Sequence, residues 1–183
     1  MCHSVVNTQI KKPSVPFAAD VSGATAIEFA LLALPFLGLI FGVVQTALVF
    51  FVGQVLETTA EAAGRIILTG QAQTQGMTQS QFASAVCAQV PGLLKCNNLM
   101  IDVETASSFS GANTSAPTLT FGPQGQVTNV WQYQPGNPGD IVVLRVMYQW
   151  PLVRGPMSFN IANLSNGNRL LVATAVFKNE KYQ

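Results

Sequence analysis

The longest apolar segment of the chain runs from Phe29 to Leu56, and its 28 residues include no Asp, Glu, Lys or Arg. A membrane-spanning helix needs about 20 such residues, so this segment is long enough to cross a bilayer with some tilt. A cleavable secretory signal has a core of only about 7–15 apolar residues. The length therefore predicts a permanent membrane helix, which we assign to residues 24–56.

The apolar positions at the end of this segment keep helical spacing into the residues that follow. One face carries Leu56, Ala60, Ala63 and Ile67, and another carries Glu57, Glu61 and Arg65. Gly70 is suited to end a helix, because glycine readily adopts the left-handed conformation that follows many helix C-termini. We therefore predict that residues 57–70 extend the membrane helix, giving one helix over 24–69 that is about 70 Å long.

Residues 71–183 change to shorter patterns, which open with a second, short helix. Thr78 and Gln81 have the spacing of a capping box at a helix N-terminus. The apolar face that follows consists of Phe82, Val86 and Val90. Pro91 cannot continue a helix, so it is expected to end this one.

Strand patterns dominate the second half of the chain, and the candidates are residues 100–105, 118–121, 127–133, 141–150 and 169–178. The fourth is the strongest, because every second residue from Val142 to Trp150 is apolar; the second and third are weaker. The connecting segments are Gly- and Pro-rich turns at 122–125 and 135–139 and an aperiodic loop at 151–168, with a helical turn expected at 159–164. We therefore predict an α+β domain with a small antiparallel sheet.

Charged residues make up only 9% of the chain, against about 25% in ordinary soluble domains, which favours a membrane, an assembly, or both. A net charge of +1, with no basic cluster beyond Lys11-Lys12, argues against nucleic-acid binding. Those two lysines precede the apolar run, whereas Glu57 and Glu61 follow it. Because basic flanks stay in the cytoplasm, we expect a cytoplasmic N-terminus and a C-terminal domain on the outside.

A single carboxylate, Glu28, stands at the start of the membrane segment, directly after five small or flexible residues at 22–26. Such residues suit threading an extended chain through a protease cleft. A cut between Gly23 and Ala24 would expose an α-amino group five residues from this carboxylate. A neighbouring subunit could pair the two opposite charges, which are costly in lipid when unpaired. The alternative is that Glu28 only reaches into the lipid headgroups.

The stretch from Gly23 to Phe29, G-ATAI-EF followed directly by an apolar helix, resembles the prepilin cleavage site of type IV pilin-like proteins. In particular it resembles the TadE-like pseudopilins of the tight-adherence (Flp) pilus. The resemblance implies a type IV pilin-like fold, a cytoplasmic leader over residues 1–23 and a periplasmic domain. It also implies that prepilin peptidase cuts between Gly23 and Ala24, and that Glu28 and Phe29 serve recognition and assembly.

The same resemblance implies that the protein sits in the bacterial inner membrane and assembles with other pilins and the inner-membrane assembly platform. A minor pilin or pseudopilin role follows, in which the protein helps to initiate or tip a pilus for adherence. TadE and TadF proteins share this layout, and the residues do not separate them. The tail departs from the family pattern, because Lys178 and Lys181 replace the Arg and Pro that flank Asn-Glu there.

Three residues in the membrane segment suggest packing beyond simple anchoring. Pro35 removes a backbone donor inside the helix. Gly38 and Gly42 form G-x-x-x-G, a flat strip that lets helix backbones approach closely. Glycines are frequent in membrane helices, so a chance spacing remains the alternative.

Two cysteines, Cys87 and Cys96, fall in the external domain, nine positions apart. Because the periplasm is oxidising, we predict a disulfide between them; two buried free thiols are the alternative. Cys2 belongs to the expected leader. No histidine lies near Cys87 and Cys96, so a zinc site is not expected there.

The residues do not favour an enzyme. His3, the single histidine, lies in the expected leader, which excludes histidine-dependent triads from the mature chain. Asp102 and Glu104 share one strand face; we expect this face to be solvated, with a carboxylate pair of a periplasmic hydrolase as the alternative. No cofactor or metal is expected. A further alternative is an unprocessed, membrane-anchored binding or scaffold module.

Overall fold

The computed structural model describes residues 23–90, 92–155 and 159–181. The predicted leader, apart from Gly23, therefore lies outside the described residues, as do Pro91 and Tyr182. The chain divides into two units at Ile40 and Phe41, along the first helix.

Helix α1 extends from Ala24 to Leu68, with Pro35 inside it. Its end confirms the sequence prediction, because Gly70 follows in the left-handed conformation with φ of 76° and donates its N–H to the Ile67 carbonyl at 3.0 Å. In the first unit, the large apolar side chains of this helix are exposed, as expected of a surface made for lipid. Leu32, for example, is 73% exposed.

In the second unit, one face of α1 is buried in the domain core. The buried residues on this face are Val49, Val52, Leu56, Thr59, Ala60, Ala63, Gly64 and Ile67. The near four-residue spacing is that of one helix face, and it includes the four positions predicted for the helix extension. Gly64 lets the Phe177 side chain pack directly on the helix backbone, since a Cβ on Gly64 would lie 3.1 Å from the Phe177 ring.

Two short helices follow, α2 over Gln71–Thr74 and α3 over Gln79–Cys87. The predicted capping box at α3 is present: the Thr78 hydroxyl accepts from the Gln81 N–H, and the Gln81 side chain accepts from the Thr78 N–H. Phe82 and Val86 are buried in the core, and Val90 packs against it beyond the end of the helix.

The sheet has three antiparallel strands, β1 over Leu99–Ala106, β2 over Ile141–Trp150 and β3 over Arg169–Lys178, in the order β1-β2-β3. This confirms the predicted α+β class with a long N-terminal helix and a small antiparallel sheet. The face predicted for β2 is buried with α1 and α3, through Val142, Leu144, Val146 and Tyr148.

The two weaker strand predictions are wrong. Residues 118–121 and 127–133 form only isolated bridges, one between Phe121 and Val127 and one between Val103 and Tyr133. These segments cover the second face of the sheet instead, where Met100, Met147 and Leu119 form a separate buried cluster. The sheet is therefore covered on both faces. The helical turn expected at 159–164 is also absent, because residues 159–163 are irregular and the turn falls at 165–166.

Candidate functional site

The predicted cleavage and assembly residues lie at the N-terminus of α1. Gly23 directly precedes the helix, and its carbonyl accepts the Ile27 N–H at 3.3 Å. Residues 23–30 are all exposed, including Ala24, Glu28 and Phe29. Within the described part of the chain, Glu28 forms no salt bridge. The carboxylate is therefore accessible to a group from another molecule.

The predicted packing residues differ in their surroundings. Pro35 is exposed, whereas Gly38 and Gly42 are partly covered. The Phe159 ring lies over Gly42, 3.5 Å from the position of a Cβ on that glycine. One of the two glycines of the G-x-x-x-G strip thus contacts a side chain of its own domain. Packing of this strip against another helix stays a prediction.

The structure joins Cys87 and Cys96 in a disulfide, with their Cα atoms 5.6 Å apart. Cys87 ends α3, and Cys96 begins the short 3₁₀ turn that leads into β1. The bridge therefore ties α3 to the start of the sheet, as the sequence predicted.

Replacing Cys96 with serine is expected to lower the free energy of unfolding by about 2.5–3 kcal/mol, because the bridge restricts the unfolded chain. Denaturant titration of the purified protein would measure this change. Cys2→Ser provides the control and should leave stability unchanged. Detection of free thiols at both positions in non-reducing mass analysis would contradict the bridge.

Asp102 corrects a prediction, because it is buried and not part of a solvated face, whereas the Glu104 side chain is 38% exposed. Asp102 is 4% exposed and Arg145 3% exposed. The two residues stand directly opposite each other on β1 and β2. Arg145 donates to Asp102 Oδ2 from Nη2 at 2.7 Å and from Nε at 3.0 Å, and Nη2 also donates to Glu104.

Two further hydrogen bonds join this ion-paired cluster to neighbouring segments. The Gln132 N–H donates to Asp102 Oδ1 at 2.8 Å, and Arg145 Nη1 donates to the Asn113 carbonyl at 3.3 Å. The guanidinium thus connects two strands to the segments that cover the second face. Sequence reasoning missed this role of Arg145, although its position in the strongest strand candidate was a usable signal.

The tail holds a second residue that the sequence did not single out. Asn179 is 3% exposed, and its Nδ2 donates to the Pro135 carbonyl at 2.8 Å and the Asn137 carbonyl at 3.1 Å. The neighbouring Glu180 N–H donates to the carbonyl of Leu68, the last residue of α1, at 3.0 Å. The Asn-Glu pair therefore fastens the tail to both a turn and the helix end, whereas Lys178 is exposed.

Tyr133 is a partly buried ionisable residue. Burial raises the pKa of the Tyr133 hydroxyl above its ordinary value, and its ring packs on Phe82 with centroids 5.4 Å apart. No group of three or more His, Cys, Asp or Glu side chains suited to a metal occurs among the residues that the structure describes.

Among the residues that the structure describes, one helix is long and apolar enough to span a membrane, namely α1, whose most apolar window has a mean hydropathy of 2.4. Only 6% of that window is buried within the chain. Both values are consistent with single-pass membrane anchoring through the N-terminal helix.

The family model described as TadE-like protein matches residues 23–65. The resemblance indicated by the sequence is therefore confirmed over this segment, which is similar to TadE-like proteins. That similarity is to a family associated with the Tad pilus. No curated protein and no solved structure matches the chain.

Proposed function

We propose that the protein is a minor pilin or pseudopilin of a Tad (Flp) pilus, cut by prepilin peptidase after Gly23 and assembled through α1. The observation that carries the proposal is the TadE-like match, which begins at Gly23 and covers the apolar helix. The exposure of Gly23, Ala24 and Glu28 supports it, because a peptidase and a neighbouring subunit both need access to these residues.

In the assembled state, the Glu28 carboxylate of one subunit accepts a hydrogen bond from the α-amino group of Ala24 of another subunit. Two opposite charges at one membrane depth neutralise each other, which lowers the cost of holding either in lipid. The pairing partners are other pilins at the inner-membrane assembly platform. The N-terminus faces the cytoplasm and the sheet domain faces the periplasm, consistent with the position of Lys11-Lys12 before the helix.

The role is structural rather than catalytic. The carboxylates that a hydrolase would need, Asp102 and Glu104, are already bonded to Arg145. The Arg145 guanidinium occupies Asp102 Oδ2 and Glu104 Oε2, oxygens that a hydrolase would need to turn toward a substrate. This arrangement supports a fold-stabilising function for the pair.

The N-terminal residue of the protein purified from membranes tests the proposal. Ala24 at the N-terminus is expected after processing. Retention of Met1 on protein that functions normally in the envelope would contradict the proposal. It would favour the unprocessed, membrane-anchored scaffold.

Replacing Glu28 with alanine should leave membrane insertion intact and reduce incorporation into the pilus more than about tenfold. The reason is that removing one partner of a desolvated charge pair costs about 2–5 kcal/mol. Quantifying the protein in sheared pilus fractions and in membranes measures both effects. Glu61→Ala is the matched control, since Glu61 is an exposed carboxylate on the same helix. Equal incorporation of both variants would refute the docking role of Glu28.

A further inference from the structure

The loop between β2 and β3 lies against α1 close to the start of the second unit. Gln45 Nε2 donates to the Val153 carbonyl at 2.8 Å. The Phe159 ring covers Gly42, and a Cβ on Gly155 would lie 2.7 Å from a ring carbon of Phe41. These contacts hold the described parts of the loop, residues 151–155 and 159–164, beside one turn of the helix at residues 41–45.

This turn coincides with the expected outer edge of the membrane. Residues 24–43 number 20, which as a helix span about 30 Å, the thickness of the bilayer hydrocarbon core. Gln45 is the first polar residue after the uninterrupted apolar run from Phe29 to Val44. From Val49 onward, one helix face is buried in the domain core instead.

The next exposed aromatic residues fit the same boundary. Phe50 and Phe51 are 72% and 56% exposed, and they follow Gln45 by five and six residues, or about 8–9 Å along a helix. Phenylalanine is common on apolar faces that lie at this depth, where the headgroups meet the acyl chains. The polar loop contact at Gln45 therefore lies between an apolar span and an interfacial aromatic pair.

The β2–β3 loop also exposes side chains suited to the boundary between lipid headgroups and acyl chains. Val153 is 68% exposed, although it stands in an aperiodic loop where solvation would favour polar residues. Arg154 beside it is also exposed. This pair suits the bilayer surface. The aliphatic side chain can enter the boundary of the acyl chains, and the guanidinium can donate hydrogen bonds to lipid phosphate oxygens.

We propose that the β2–β3 loop rests on the outer surface of the phospholipid bilayer, with Val153 in the interface and Arg154 on lipid phosphate. The loop fixes the depth at which α1 leaves the membrane, so the spanning part ends near Val44 and the domain stands directly on the lipid. The occupant is lipid because the helix turn that the loop contacts is itself apolar and exposed, at Val43 and Val44. The proposal needs insertion of α1 but not cleavage or pilus assembly.

The test uses spin labels on single cysteines in the full chain, with Cys2→Ser and the disulfide intact. The labelled variants are Val153→Cys, Val130→Cys and Leu34→Cys. Val130 is the matched control, an exposed valine of the same domain at 85%, and Leu34 reports insertion. In phosphatidylethanolamine–phosphatidylglycerol vesicles, collisions with oxygen report lipid and collisions with a water-soluble nickel complex report solvent.

The Val153 label is expected to show a several-fold higher oxygen-to-nickel collision ratio than the Val130 label, and Arg154→Glu should lower that ratio. Equal ratios at 153 and 130, with the label at 34 in lipid, would overturn the proposal while leaving the pilin function intact. A water-accessible label at 34 would overturn both, because α1 would not be inserted.

Discussion

Replacing Gly23 with alanine should leave the membrane-bound protein untrimmed, with the residues before Ala24 still attached. The added methyl group is expected to hinder the extended chain in the peptidase cleft. The fold itself tolerates the change, because a Cβ on Gly23 meets no atom within 4 Å. Intact mass measurement of protein extracted from membranes distinguishes the trimmed and untrimmed forms.

The matched control for this prediction is Gly53→Ala. Gly53 lies in the same helix, and a Cβ there also meets no atom within 4 Å. This variant should be trimmed normally, which separates the local sequence requirement at the cut from a general effect on the helix. Normal trimming of the Gly23 variant would count against the assignment of a prepilin peptidase.

Replacing Arg145 with methionine should lower the free energy of unfolding by about 3–5 kcal/mol, because it leaves buried Asp102 without its counter-charge. Typical domains have only about 5–15 kcal/mol in total, so much of the protein is expected to be lost to degradation. The shift in urea midpoint of the detergent-solubilised full chain measures the change.

Two further variants make the Arg145 result specific. Lys178→Met removes a cation from an exposed position at the end of β3 and should change stability by less than about 0.5 kcal/mol. Adding Asp102→Leu to the Arg145 variant should recover part of the loss, since apolar residues often replace a buried pair at little cost. A stable Arg145→Met protein would show that the cluster does not hold the sheet together.

The two proposals concern different ends of the same membrane segment. In the first proposal, Gly23 and Glu28 lie at the cytoplasmic end, where processing and subunit pairing are expected. In the second proposal, Gln45 and the β2–β3 loop lie at the outer end, where the domain is expected to meet the lipid surface. If both hold, the charge pair and the loop contact together set the depth of each subunit. Subunits at equal depth present their helices in register for assembly.

Features that depend on local spacing were predictable from the residues alone. The apolar run and its continuation gave α1 within one residue of its observed end, since helix periodicity is a local property. The Thr78–Gln81 capping box and the apolar face of β2 followed from spacing in the same way. The Cys87–Cys96 bridge was predicted because both cysteines fall in the external domain, nine positions apart, in an oxidising compartment.

Contacts between segments that are distant in the sequence were visible only in the tertiary structure. Asp102 was expected in solvent because its strand alternates polar and apolar residues, and it is buried because residues 107–140 fold over that face. Within these residues, the two expected strands at 118–121 and 127–133 form only isolated bridges. The contact of Gln45 with Val153 joins residues 108 positions apart, and the environment of such residues is set by packing that local sequence does not encode.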